Sequence, residues 1–203
     1  MSAELDSDAD LMLRVQRGEL AAFEQLVTRY QQPVMNLVAR MLRDPTEAED
    51  LAQNVFLQVY KSADRYRVSA KFTTWLFTIA RNLCLNEIRR RGRHPADSLD
   101  ELHAEHEHEP RRQFADAKSV CAPAAVLHAE LVGKIEEAIA ALPDNQRLAL
   151  LLFREEEMAY EDIAQVLDCS LSATKSLIHR ARETLKERLK PYLRTGEWTE
   201  DEL

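Results

Sequence analysis

Only four glycines interrupt the 203 residues, while Leu, Ala, Glu and Arg abound, a composition that favours helices throughout. No glycine-rich phosphate loop, ordered Ser/His/Asp set or closed zinc motif is present, so a hydrolytic enzyme has no visible machinery. The three cysteines, Cys84, Cys121 and Cys169, form no CxxC pair. Their odd number argues against a closed disulfide framework and fits a reducing cytoplasm. No stretch approaches the ~20 apolar residues needed to cross a bilayer, and the acidic N-terminus has no apolar export segment. Positive charge is in deficit as well: 27 Lys and Arg stand against 35 Asp and Glu, a net −8. Phosphate contacts reward positive charge, so a DNA-binding role requires segregated basic groups or a partner that supplies part of the grip.

What is there is a soluble, helix-rich chain long enough for two small domains, with 45% hydrophobic and 31% charged residues. The most informative stretch is EEMAYEDIAQVLDCSLSATKSLIHRAR. Ile163, Ala164 and Leu167 fit one face of a short helix, Asp168-Cys169-Ser170 interrupts it, and apolar spacing resumes at Leu171, Leu177 and Ile178. The pattern predicts a helix-turn-helix. Small Ala164 allows a close helix crossing, and Ser170 or Ser172 can cap the second helix. That helix carries Ser172, Lys175, Ser176, His179, Arg180 and Arg182, which include donors suited to phosphates and base edges in a major groove. Two amphipathic helices with a polar turn also occur in bundles that never touch DNA, so the rest of the chain has to decide.

From the N-terminus, Leu11, Val15, Phe23, Leu26, Val27 and Tyr30 mark helical faces, with a break at Gly18. Pro33 is expected in the first turn of a new helix with apolar positions Val34, Leu37, Val38 and Met41. Asp44-Pro45-Thr46-Glu47 reads as a helix start, with Asp44 as cap, Pro45 at the first helical position and Glu47 closing a capping box. The helix that follows has a broad apolar face of Ala48, Leu51, Ala52, Val55, Phe56, Val59 and Tyr60. Its opposite face presents Glu49, Asp50, Gln53 and Asn54, by default a solvated surface.

Between positions 61 and 93, Lys61, Arg65, Arg67 and Lys71 interleave with Tyr66, Phe72, Trp75 and Phe77, before a basic run of Arg89, Arg90, Arg91 and Arg93. Cations beside aromatic rings suit unstacked single-stranded bases, where each stacked base is worth about 1–3 kcal/mol. The competing reading makes Trp75, Leu76, Ile79, Ala80 and Leu83 core at helical spacing. Asn82 offers an amide able to read a base edge.

Periodicity fails over residues 94–123, which are predicted to form a flexible acidic linker. His103, His106 and His108 lie there among carboxylates, but their spacing matches no closed zinc site; neither a metal nor a cofactor is expected. Helical spacing returns over 124–195, with breaks at Leu142-Pro143-Asp144 and a stop at Pro191, and residues 196–203 form an acidic tail. The expected architecture is all-α: an N-terminal helical domain over 1–93, the linker, and a C-terminal helix-turn-helix domain.

The order DPTEAEDLAQNVF, KFTTWLFTIARN with its arginine run, a polar linker, ALPDNQR and YEDIAQVLDCSLSATKSLIHRAR resembles a bacterial extracytoplasmic-function sigma factor of the sigma-70 family. The resemblance spans roughly residues 10–193. It implies a non-enzymatic, cytoplasmic specificity subunit that binds core RNA polymerase and promoter DNA and is held in check by an anti-sigma factor. On that basis Glu49, Asp50, Gln53 and Asn54 face polymerase, although family members usually carry glutamate at the position of Asn54. Lys61, Arg65, Tyr66, Arg67, Lys71, Phe72 and Asn82 contact the minus-ten element, with Tyr66 and Asn82 holding a flipped base and Trp75 supporting the fold. Ser172, Lys175, Ser176, His179, Arg180 and Arg182 read the minus-thirty-five element. Ser172, Thr174 and Leu177 replace a usual glycine, a usual valine and a frequent arginine, which implies an altered sequence preference.

The rival class is an autonomous helix-turn-helix regulator that binds duplex DNA alone as a symmetric dimer. It has no need of the basic-aromatic stretch or of the polar face around Asp50. In the sigma reading the acidic balance keeps the free chain off bulk DNA, and the two domains can pack together and hide their DNA-reading surfaces.

Overall fold

A computed structural model describes residues 7–68, 70–93, 122–154 and 156–195. Residues 94–121 of the expected linker, with its three histidines, and the acidic tail therefore lie outside the described residues, while Ala122 and Pro123, expected in the linker, belong to the helix over Ala122–Ala140. Among those described the structure is helical, without strands: α1 (Ser7–Gln16), α2 (Leu20–Leu42), α3 (Pro45–Lys61), α4 (Phe72–Arg93), α5 (Ala122–Ala140), α6 (Asp144–Arg154), α7 (Tyr160–Leu167) and α8 (Leu171–Thr195). A 3-10 turn, Ala63–Arg65, leads from α3 towards α4.

Local chemistry accounts for most of the boundaries. Gly18 separates α1 from α2 at φ +89°, a left-handed conformation that glycine takes without steric cost. Asp44 caps α3 by accepting from the backbone N–H groups of Thr46 at 3.0 Å and Glu47 at 3.1 Å, with Pro45 at the first helical position. The Glu47 carboxylate, expected to reach back to the cap, instead pairs with Arg91 of α4. Ser170 caps α8 by accepting from Ala173 N at 3.1 Å.

Two prolines do not act where the sequence placed them. Pro33 lies inside α2 rather than at the start of a new helix, and Pro191 lies inside α8 rather than ending it. The buried stripe of α2, Leu26, Val34, Leu37, Val38 and Met41, continues across Pro33. An interior proline costs roughly 3 kcal/mol, whereas each large apolar side chain fully buried contributes about 1.5–3 kcal/mol. Tertiary packing wins.

Helices α1 to α4 pack around α2, with α3 and α4 both lying against it and against each other; α5, α6 and α7 each pack on α8. The two halves are in direct contact through α4 with α7 and α2 with α6. A single apolar cluster runs through both. It includes Val38, Met41, Phe77, Ala80 and Cys84 of the first half and Leu148, Leu152, Ile163 and Val166 of the second.

Candidate polymerase and nucleic-acid interfaces

Helix α3 is the simplest surface to build. Ala48, Ala52, Val55 and Val59 are buried, so the opposite stripe of Glu49, Asp50, Gln53 and Asn54 faces solvent as expected. The stripe continues into apolar surface that the sequence reading passed over. Leu57 is 54% exposed, and Tyr60, expected to be buried, is 45% exposed with its ring 5.1 Å from that of Phe23. Leu57 lies one turn beyond Gln53, which was the available signal. Carboxylates, amides and then bare hydrocarbon along one helix face are the ingredients of a protein-docking surface.

The stretch before α4 separates into rim and core. Lys61, Arg65, Arg67 and Asn82 are exposed, as is Lys71. Tyr66 and Phe72 are not: they are 1% and 0% exposed, packed with Trp75 at centroid distances of 5.3 and 6.2 Å, and Tyr30 covers Phe72 at 5.4 Å. The Tyr66 hydroxyl points at the Ala70 carbonyl, 3.4 Å away. In this arrangement neither ring offers a face to a base. Large rings on a small domain bury more area against each other than against solvent-exposed bases. The turn beneath them is fixed by Gln16, whose side-chain amide donates to the carbonyls of Ala63 at 2.7 Å and Tyr66 at 3.0 Å.

The arginine run divides similarly. Arg89, Arg90 and Arg93 are exposed, whereas Arg91 donates to the Leu42 carbonyl at 3.1 Å and pairs with Glu47 and Glu87. Arg91 is therefore part of the scaffold.

The helix-turn-helix is formed as predicted. Asp168 closes α7 in the left-handed region at φ +53°, and Cys169 N donates to Ala164 O at 3.0 Å across the turn. Thr174, Ile178 and Ala181 are buried, which turns Ser172, Lys175, Ser176, His179, Arg180 and Arg182 outward, all exposed. The Lys175 ammonium lies 5.9 Å from the Tyr160 ring, and the Arg182 guanidinium 4.8 Å from that of Phe153. These contacts hold two cations beside the reading face without neutralising them. A protein with net charge −8 thus keeps one helix surface free of acidic side chains from Ser172 to Arg182.

These two surfaces coincide with two segments of known families. The profile of sigma-70 region 2 matches residues 26–94, and that of sigma-70 region 4 matches residues 133–185. The RNA polymerase sigma-H factor of Pseudomonas aeruginosa is 36% identical over 189 residues, covering 93% of this chain and 97% of the relative. This chain belongs to the sigma-70 family. Within it, the sigma factor is of the extracytoplasmic-function type: the ECF RNA polymerase sigma-E factor of Escherichia coli is 33% identical over 196 residues, covering 96% of this chain and all of the relative. Among solved structures, the sigma factor RpoE of Bartonella quintana, in complex with the anti-sigma factor NepR, matches with a TM-score of 0.64 at 27% identity, covering 83% of this chain and 96% of that one. The sigma factor is accordingly an initiation factor that directs RNA polymerase to promoters. No helix among the described residues is long and apolar enough to cross a membrane.

Proposed function

We propose that the sigma factor divides its work among three surfaces, two before the 94–121 segment and one after it. Helix α3 docks on core RNA polymerase through Glu49, Asp50, Gln53 and Asn54, and the exposed Leu57 and Tyr60 extend that contact with hydrocarbon. The rim Lys61, Arg65, Arg67 and Lys71, with Asn82 on α4, takes the minus-ten strand as it opens. The outward face of α8 reads the minus-thirty-five element. The observation that carries this reading is the exposed α3 stripe: a regulator acting alone on duplex DNA has no use for an acidic and apolar helix face remote from its recognition helix.

The Tyr66 and Phe72 rings reach bases only if the DNA displaces their packing. Base capture therefore falls first to Asn82 and the cationic rim. The chain supplies no polymerisation chemistry; that stays with polymerase, so the sigma factor is not itself an enzyme and works in the cytoplasm where polymerase and chromosome are. The solved complex of the Bartonella quintana sigma factor with the anti-sigma factor NepR supports a partner of that kind for this chain.

Co-elution with purified core polymerase tests the assignment. Wild-type chain is expected to co-elute, and a chain carrying Glu49→Ala, Asp50→Ala and Leu57→Ala together is expected to lose most of that binding while folding normally. Equal binding by both chains would move the polymerase contact off α3.

A further inference from the structure

Helices α5 and α6 both pack on α8, and α6 also packs on α2. Where the four converge they leave a cleft of about 520 Å³. Close-packed interiors hold few voids larger than a water molecule, whereas clefts of roughly 300–1,000 Å³ are the size of small-molecule sites. The wall of this one is hydrocarbon, from Ile139 of α5, Leu150 and Leu151 of α6, and Leu185 of α8. Leu150 and Leu151 are 5% and 1% exposed, and Ile139 and Leu185 are half-buried against the small apolar cluster of Leu142, Leu150 and Ala181.

The charge on the lining is unbalanced. Arg40 donates to the Glu136 carboxylate at 2.8 Å, so the acidic side chain that faces the cleft is already held. Arg154 and Arg182 line the cleft too, both exposed, and among the described residues neither has a carboxylate in ion-pair range. The Arg182 guanidinium is steadied by the Phe153 ring, 4.8 Å away, a contact that leaves its charge uncompensated. In a chain of net charge −8, two such arginines stand at the mouth of an apolar cleft. Guanidinium forks match carboxylate, sulfonate and phosphate oxygens.

We propose that this cleft is a binding site for a small organic anion, an apolar body carrying one anionic group. The hydrocarbon wall takes the body, and Arg154 and Arg182 take the charge. A neutral apolar molecule leaves both cations unpaired, and an inorganic anion leaves the wall bare, so neither uses the whole site. Arg182 also belongs to the proposed minus-thirty-five face. An anion seated in the cleft takes a phosphate donor from that face; this consequence, unlike the site itself, rests on the minus-thirty-five reading.

The test titrates decanoate, below its micellar concentration, into the full chain with isotope-labelled isoleucine and leucine methyl groups, and follows the methyl spectrum. Saturable shifts are expected at Ile139, Leu150, Leu151 and Leu185, with a Kd on the order of 1 mM or tighter, the range a ligand of this size reaches. Decanol, with the same chain and no charge, is expected to bind about tenfold more weakly, the effect of losing two partly exposed ion pairs. Arg154→Gln with Arg182→Gln is expected to weaken decanoate by a similar factor and to leave decanol unchanged. Equal or tighter binding of decanol, shifts concentrated at the exposed Leu20 and Leu57 instead, or unchanged decanoate affinity in the double variant overturns the site. So does the absence of saturable shifts with both decanoate and the bulkier anilinonaphthalene sulfonate. The titration contains no DNA, so its failure leaves the minus-thirty-five assignment standing. If instead Arg182→Gln leaves promoter binding by the holoenzyme unchanged, Arg182 drops out of the reading face and the cleft keeps its ligand without the consequence for DNA.

Discussion

The Arg147 guanidinium of α6 donates to the Met41 carbonyl of α2 at 3.0 Å, so an arginine from the helix-turn-helix half closes the C-terminus of a helix in the other half. The same side chain donates to the Leu142 carbonyl at 2.8 Å and lies 3.3 Å from the Asp144 carboxylate, while being 4% exposed. Cations at the negative end of a helix macrodipole are well placed, and Arg91 does the same for Leu42 from within its own half. Burial, and then the neighbouring Arg43, lower the Arg147 pKa; Asp144 opposes both. The guanidinium nevertheless remains charged, as arginine does in proteins.

Arg147→Met is expected to destabilise the fold by about 2–4 kcal/mol, because it leaves the Met41 and Leu142 carbonyls without their charged donor. Arg147→Lys keeps the charge but not the fork and is expected to fall between the two. Urea unfolding measures both. A loss under about 0.5 kcal/mol for Arg147→Met would mean that solvent replaces the guanidinium freely.

Arg43 and Asp168 end α2 and α7 with φ at +60° and +53°, where a side chain is strained. Replacing either with glycine is expected to raise stability by about 0.5–1 kcal/mol, less than the full left-handed penalty because glycine also loosens the unfolded chain. Asp168→Val is expected to lower it by at least about 1 kcal/mol. Thermal melts of the three variants decide the matter; a destabilised Arg43→Gly would show that the Arg43 side chain makes a contact worth more than the strain.

Burial pushes the Cys84 thiol up from 9.0 to about 12. Its folded pKa lies above that ordinary value, so its contribution is complete below about pH 9 and is lost as the pH rises towards the folded pKa. The loss is about 1.4 kcal/mol per pH unit above pH 9, or roughly 2 kcal/mol by about pH 10.5. Cys84→Ala is expected to be flatter over this window in denaturant titrations. Equal slopes for the two proteins would show that the thiol is hydrated when folded.

Phe72→Ala is expected to cost about 3–5 kcal/mol, the loss of a large core ring, before any effect on DNA is seen. Tyr66→Phe keeps the buried ring and removes the hydroxyl with its long contact to Ala70, and is expected to leave stability within about 1 kcal/mol. Unfolding curves, read before any DNA assay, test both. A Phe72→Ala chain of unchanged stability that had lost minus-ten binding would restore the ring to the DNA surface.

Those two rings mark the limit of what the sequence carries. Asp44 with Pro45, the turn at Asp168 to Ser170 and the outward face of α8 were legible because capping, turn chemistry and helical period are local. Ser172, Lys175, Ser176, His179, Arg180 and Arg182 point outward for the same reason that Thr174, Ile178 and Ala181 point inward. The basic neighbours of Tyr66 and Phe72 point to DNA but say nothing of burial; only the tertiary fold, bringing Trp75 against both rings and Tyr30 against Phe72, buries them. Pro33 was misplaced for a related cause, since the packing that carries α2 through a proline comes from α3, α4 and α6. The pairing of Lys71 with Asp162 joins residues 91 positions apart, and neither residue alone signals it.

On α3, Asp50→Lys is expected to weaken binding to core polymerase by about tenfold or more while changing stability by no more than about 0.5 kcal/mol, as an exposed substitution does. Titration of the labelled chain against core polymerase, beside an unfolding curve, separates the two. Loss of stability in step with loss of binding would make Asp50 a scaffold residue.

The central claim is that this chain gives polymerase its promoter. Run-off transcription from a promoter library, with purified chain and core polymerase together and each alone, tests it most directly. Transcripts from one promoter class, sharing two elements and appearing only when both proteins are present, are the predicted result. Specific duplex binding by the chain alone, without any stimulation of core polymerase, would contradict it and make the protein an autonomous regulator.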